Sequence, residues 1–136
     1  MNALKDKLVH FGLLWLRVLM GMGIAYHGYG KVFSGKIPMF AEGVAKMGFP
    51  LPAFFAWAAA FSELFGGIFV VLGLGTRVGA FFIFATMSVA AFVRHAQDPF
   101  KVKELALAYW TVAFALMLTG AGTFSLDTII SKWRKK

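Results

Sequence analysis

The sequence predicts an all-α fold: a four-helix transmembrane bundle with an interfacial helix in the first loop and an amphipathic helix at the C-terminus. Three observations predict it. Four apolar stretches fill most of the 136 residues, each close to the ~20 residues that cross a bilayer at about 1.5 Å per residue. Hydrophobic residues make up 60% of the chain and charged residues only 15%, against about 45–50% and about 25% in a soluble domain; mean hydropathy is +0.73. The few ionisable residues within the stretches are too costly in hydrocarbon to lack a partner, a wet cavity or a task. They therefore call for a bundle with a polar interior.

One domain fits this length, with spans expected at about 8–31, 52–74, 77–94 and 103–119. In the first span, Gly21, Gly23, Gly28 and Gly30 allow another helix to approach closely. Its apolar run is too long for a signal-peptide core, and no small-x-small cleavage site comes after it, so it reads as a retained helix. Pro38 opens a short segment in which Phe40, Val44 and Met47 share one face, as expected of an interfacial helix ended before Gly48. Pro50 and Pro52 suit the start of the second span, and Gly73 with Gly75 its end. A very short turn leads into the third span, and Asp98-Pro99 breaks the chain before the fourth. In the tail, Ser125 is an N-cap for a helix whose Leu126, Ile129, Ile130 and Trp133 form one face among Lys132, Arg134, Lys135 and Lys136. That pattern suits a helix lying on a membrane.

The net charge of +8 comes from basic residues flanking apolar spans, the distribution that anchors to anionic headgroups. It lacks the soluble basic face of a nucleic-acid binder, so nucleic acid is not an expected partner. With no cysteine, the chain has no disulfide, thiolate metal site or thiol relay of its own. Four spans put both termini on one side, here side A; the opposite side is side B. Basic residues divide almost evenly between the two, and the dense C-terminal cluster tips the expectation to cytoplasmic termini.

Two groups of residues carry the candidate chemistry. Arg17 is expected roughly 9 Å inside side A and Glu63 roughly 15 Å inside the same side, from about 1.5 Å of rise per residue. A buried Arg17–Glu63 pair would neutralise both charges and register the first two spans. The second group gathers at side B. His27 and Lys31 share a helical face, Tyr29 flanks His27, Arg94 and His95 end the third span, and Glu104 opens the fourth. Its plain interpretation is an aromatic and basic interface belt. The sharper one is a polar pocket opening to side B and floored by Glu63. A bis-His haem on His27 and His95 is geometrically conceivable, but short Phe-rich helices leave little room, and haem is not expected. No metal site is expected either, because no ligand spacing supports one. The HExxH motif is absent, and the glycines of the first span lie inside an apolar helix rather than in a phosphate loop. A flat carbonyl compound such as a quinone suits the pocket better. Its ring would pack on aromatic side chains, and its oxygens would accept hydrogen bonds from His27, Lys31 or Tyr29. Glu63 or His95 would handle the proton. Nothing in the chain carries the electron, so a cofactor or partner must.

Three blocks resemble the DoxX family of small bacterial membrane proteins: RVLMGMGIAYHGYGKVFSG at 17–35, SELFGGIFVVLGLGTRVGA at 62–80, and KELALAYWTVAFALMLTGAGTFSLD at 103–127. Together they cover nearly the whole chain in the family's order. The family-pattern positions are Arg17, His27, Gly28, Lys31, Glu63, Gly66, Gly67, Arg77, Glu104, Gly120, Gly122 and Asp127. The resemblance implies subunits associated with quinol oxidase or thiosulfate:quinone chemistry, and with soluble redox enzymes.

The expected function is thus a multi-pass subunit of the bacterial inner membrane linked to quinone or other redox chemistry. If it takes part in catalysis, it does so as the accessory subunit of a quinone-linked oxidoreductase. Glu63 and Arg17 are its candidate catalytic residues. His27, Lys31, Tyr29, His95 and Glu104 are the candidate ligand-binding residues. Expected partners are membrane lipid, a bound quinone, and a membrane or soluble redox protein. One alternative is a small-solute carrier or permeation protein using the same interior charges, which would need a homo-oligomer. Another is a scaffold for assembly of a redox complex.

Overall fold

The computed structural model describes residues 2–136, and all regular structure in them is helical. The elements are α1 (Ala3–Phe33), α2 (Ile37–Lys46), α3 (Pro52–Leu72), α4 (Thr76–Val89), a π-helical turn (Ala90–Arg94), α5 (Phe100–Thr119) and α6 (Leu126–Arg134). Four helical rods are long and apolar enough to cross a bilayer: α1, α3, α4 with its π-turn, and α5. α1 begins before the expected first span because the Asn2 side chain accepts a hydrogen bond from Leu4 N, 3.1 Å away, and caps the helix. α3 opens on Pro52 and stops at Gly73, whose φ of 68° glycine adopts without a Cβ clash.

α1 packs against α3, α3 against α4, and α4 against α5. The core between them holds Met20, Ile24, Val70, Ile83, Met87 and Leu116. Large apolar side chains such as Trp15, Leu19, Phe65 and Leu118 cover the outside, where a lipid-facing surface needs them. The α1–α3 crossing is a backbone-to-backbone contact. A Cβ added at Gly67 would lie 2.7 Å from Gly21 O, and one at Gly28 would lie 2.7 Å from Leu64 Cα. This close approach stands in for the hydrophobic drive that helices lack in lipid. Backbone cannot swing aside as a side chain can, so Gly28→Val is expected to cost at least the ~1–3 kcal/mol of an overpacked core. Thermal unfolding in mild detergent measures the loss; an unchanged melting temperature would show that the crossing is slack.

α2 does more than rest on the interface. Its buried Ile37 and Val44 pack with Ala56 and Ala60 of α3, so it forms a cover over the side B end of the bundle. α6 has no buried residue, and its apolar face stands open on side A.

The expected Arg17–Glu63 pair does not form. Arg17 donates from Nη1 to Ala121 O and from Nη2 to Phe124 O, the latter at 3.0 Å. Glu63 instead meets Lys31, with Nζ to Oε1 at 2.6 Å. The register of α1 on α3 explains the difference. Gly28 lies level with Glu63 and Leu64, while Arg17 lies level with Gly73 at the end of α3. Eleven residues of helix separate Arg17 from Gly28, about 16 Å of rise, beyond the reach of an arginine side chain. Both residues are nonetheless interior, Arg17 1% and Glu63 2% exposed.

Candidate functional site

A cavity of about 630 Å³ lies at the side B end, lined by residues of α1, α2, α3, α4, the π-turn and α5. Most of its wall is apolar, including Phe40, Met47, Phe55, Phe82, Met87 and Leu105. His27, Lys31, Ser62, Glu63, Arg94, His95 and Tyr109 supply the polar groups. This is the usual composition of a small-molecule site: an apolar enclosure with a few placed polar groups.

Lys31 sits one turn past His27 on α1, so both point to the same side. Its stem carries the ammonium to Glu63 and over the Phe40 ring of α2, with Nζ 4.9 Å from the ring centroid. The glutamate is fixed by α3 and is almost wholly buried; its Oε2 has no hydrogen-bond partner among the described residues. Tyr109 of α5 meets His27 edge to face, with ring centroids 6.1 Å apart. Its hydroxyl fits over α1 only because residue 23 is glycine, where any Cβ would run into it.

The π-turn shapes the opposite wall. His95 N bonds to Ala90 O at 3.0 Å, an i to i+5 closure that widens the last turn of the third rod. Just before it, Ser88 Oγ donates to Phe84 O at 2.7 Å and accepts from Trp110 Nε1 at 2.9 Å, pinning α4 to α5. Such turns recur at functional sites, because the extra residue rotates the side chains beyond it to a new direction. Here Arg94 and His95 line the cavity. His95 Nδ1 is 2.6 Å from Asp98 Oδ2, which orients the ring, and the Arg94 guanidinium lies over Gly43 of α2, where a side chain would displace it.

Of the residues picked from sequence, the cavity brings together Glu63, His27, Lys31 and His95. Tyr29 is exposed and packs against Phe33 with the rings tilted, their centroids 4.7 Å apart. Glu104 is exposed and stands outside the wall. Arg17 is at the other end, locked to the α5–α6 segment. Sequence reasoning missed Tyr109 and Phe40. The glycine at 23 and the short α2 were the available signals, but neither names its contact without the fold.

At side A the second group of family-pattern residues forms a structural knot. Asp127 accepts from Gly75 N at 2.8 Å and Thr76 N at 3.2 Å, capping α4, while its own N–H bonds to Gly73 O at 2.8 Å. Arg77 donates to Leu118 O at 3.3 Å.

Fold and cavity define a small multi-pass membrane protein with a charged, partly enclosed interior. The chain belongs to the DoxX family, whose model matches residues 12–96. It is 30% identical over 133 residues to a Bacillus subtilis (strain 168) protein named "Putative oxidoreductase CatD", covering 96% of this chain and 95% of that one. An uncharacterized protein of Haemophilus influenzae is 31% identical over 134 residues, 93% of this chain and 96% of its own. A second uncharacterized Haemophilus influenzae protein is 35% identical over 101 residues, covering 68% of this chain and 67% of its own length. No solved structure matches the chain.

Proposed function

We propose that the protein is a redox-linked subunit of the bacterial inner membrane, with cytoplasmic termini, that holds a quinone in the side B cavity. The observation that carries this reading is the pairing of buried Glu63 with half-buried Lys31 in an aromatic, mostly apolar enclosure. A quinone ring and the first part of its tail match an enclosure of about 630 Å³, and the oxidoreductase name of the Bacillus subtilis relative agrees with such a ligand. A bound quinone supplies two-electron chemistry, with the electrons delivered or removed by a membrane or soluble redox partner. The chain's own groups do the rest. Lys31, Tyr109 and His27 donate hydrogen bonds to carbonyl oxygen. Glu63 takes up or releases a proton at Oε2, with Lys31 as its counter-charge. Phe55, Phe82 and Leu105 exclude water. Arg17 supports the opposite end of the bundle.

Titrating menaquinone or ubiquinone into the purified protein tests this. Saturable quenching of tryptophan fluorescence is expected, with affinity at least about tenfold weaker in Lys31→Met, which removes a donor to the carbonyl oxygen, the equivalent of about 1.4 kcal/mol. Absence of saturable binding of either quinone would end the proposal.

A further inference from the structure

We infer that the Glu63 end of the cavity selects a hydroxyl-bearing ligand, so the site holds the reduced, quinol form of its ligand more tightly than the oxidised quinone. This rests on the quinone reading above and adds a redox-state preference to it.

The preference begins with the donor and acceptor inventory. Facing the Lys31 ammonium at 2.6 Å, the Glu63 carboxylate is an acceptor only. Oε1 is engaged by Lys31; Oε2 has no partner among the described residues, in a side chain 2% exposed. A buried charged acceptor left unpaired carries a desolvation penalty that a matching donor removes. No group of the surrounding wall bonds Oε2. Ser62, the adjacent hydroxyl, donates to Ala58 O at 2.6 Å. Lys31 is committed to Oε1, and Tyr109, whose ring meets His27, makes no hydrogen bond to the carboxylate.

A quinone presents carbonyl oxygens, which accept and cannot donate. Placed here, one would take a hydrogen bond from Lys31 and leave Oε2 as it was, with two acceptors set against each other. A quinol hydroxyl does both jobs: it donates to Oε2 and accepts from Lys31. The other polar groups of the wall near α1 and α5 do not discriminate. Neutral His27 offers one donor and one acceptor nitrogen, and the Tyr109 hydroxyl can donate or accept, so either redox form is served there. The preference therefore resides at Glu63 alone. The step is binding only; no bond in the ligand is made or broken by this selection.

Equilibrium binding of 2,3-dimethyl-1,4-naphthoquinone and its quinol, to the full chain in detergent under anaerobic conditions, tests the inference. The quinol is expected to bind about tenfold more tightly, which raises the two-electron potential of the bound couple by about 30 mV relative to the free couple. That potential shift is read on the unaltered protein, so no variant need fold. In Glu63→Gln the amide supplies an N–H donor as well as an acceptor, and the preference is expected to vanish or reverse. Saturable binding of both forms with equal affinity would overturn the inference and leave the quinone reading standing. Tighter binding of the quinone would overturn it as well. Binding of neither form would end both.

Discussion

Lys31→Met is expected to lower the unfolding free energy by about 3–5 kcal/mol, the cost of stranding one partner of a buried ion pair. Glu63 is 2% exposed, and Lys31 is its one cationic partner within salt-bridge distance among the described residues. Without the ammonium, the carboxylate must stay charged among Ile24, Met87 and Phe55 or take a proton to fold. Adding Glu63→Leu should restore most of the loss, because two apolar side chains of similar size cost nothing to desolvate. Glu63→Leu alone should be milder than Lys31→Met. The Lys31 side chain is 33% exposed, and its flexible stem can carry the ammonium out toward side B. Denaturant unfolding in mild detergent, followed by near-ultraviolet circular dichroism, orders the three variants. A double variant whose loss equals the sum of the two single losses would mean that the pair contributes no coupling.

That pairing shows what sequence could and could not convey. Hydropathy placed four rods, and the Pro38 and Ser125 signals placed the two short helices, because each depends on local pattern alone. Depth along a rod also comes from counting residues. It supported the expectation that His27, Lys31 and His95 lie near one end, where the structure has them line one cavity with Glu63. The register between rods cannot be counted in this way. Counting inward from side A puts Arg17 and Glu63 within about 6 Å of each other in depth. The glycine contacts instead set Gly28 against Leu64 and Arg17 beside Gly73. The resulting shift along α1 exchanges one cation for another as the partner of Glu63. Rotation about the axis is equally hidden. Tyr29 is two residues from His27, and on a helix that is enough to turn it away to Phe33. Glu104 shares the side B end with Lys31 but lies on an exposed face of α5. The π-turn left no sequence signal at all, since Ala90–Arg94 reads as ordinary helix.

Arg17→Met is expected to cost about 3 kcal/mol or more and to loosen α6. The guanidinium, 1% exposed, joins α1 to Ala121 O and Phe124 O in the segment where Gly120 and Gly122 take φ of 74° and 79°. Carbonyls in such a turn have no helix to pair them, and a hydrogen bond from a charged donor is worth about 1.5–3 kcal/mol. Removing the donor strands both carbonyls in a setting where water is scarce. The effect then passes outward. The same segment carries Asp127, which caps α4 through Gly75 N and Thr76 N, and Ser125, which caps α6 through Thr128 N at 3.3 Å. α6 buries none of its residues, so these caps and its attachment to the turn are what hold it. Arg17→Lys should recover less than half of the loss. An ammonium is a point charge without the fork that reaches two carbonyls at once. Limited trypsin digestion in detergent reads the loosening directly, as faster cleavage after Lys132 and Arg134 in both variants than in the parent chain. Parental digestion rates and stability in Arg17→Lys would show that the charge alone suffices. The two-carbonyl clamp would then not be what secures this end of the bundle.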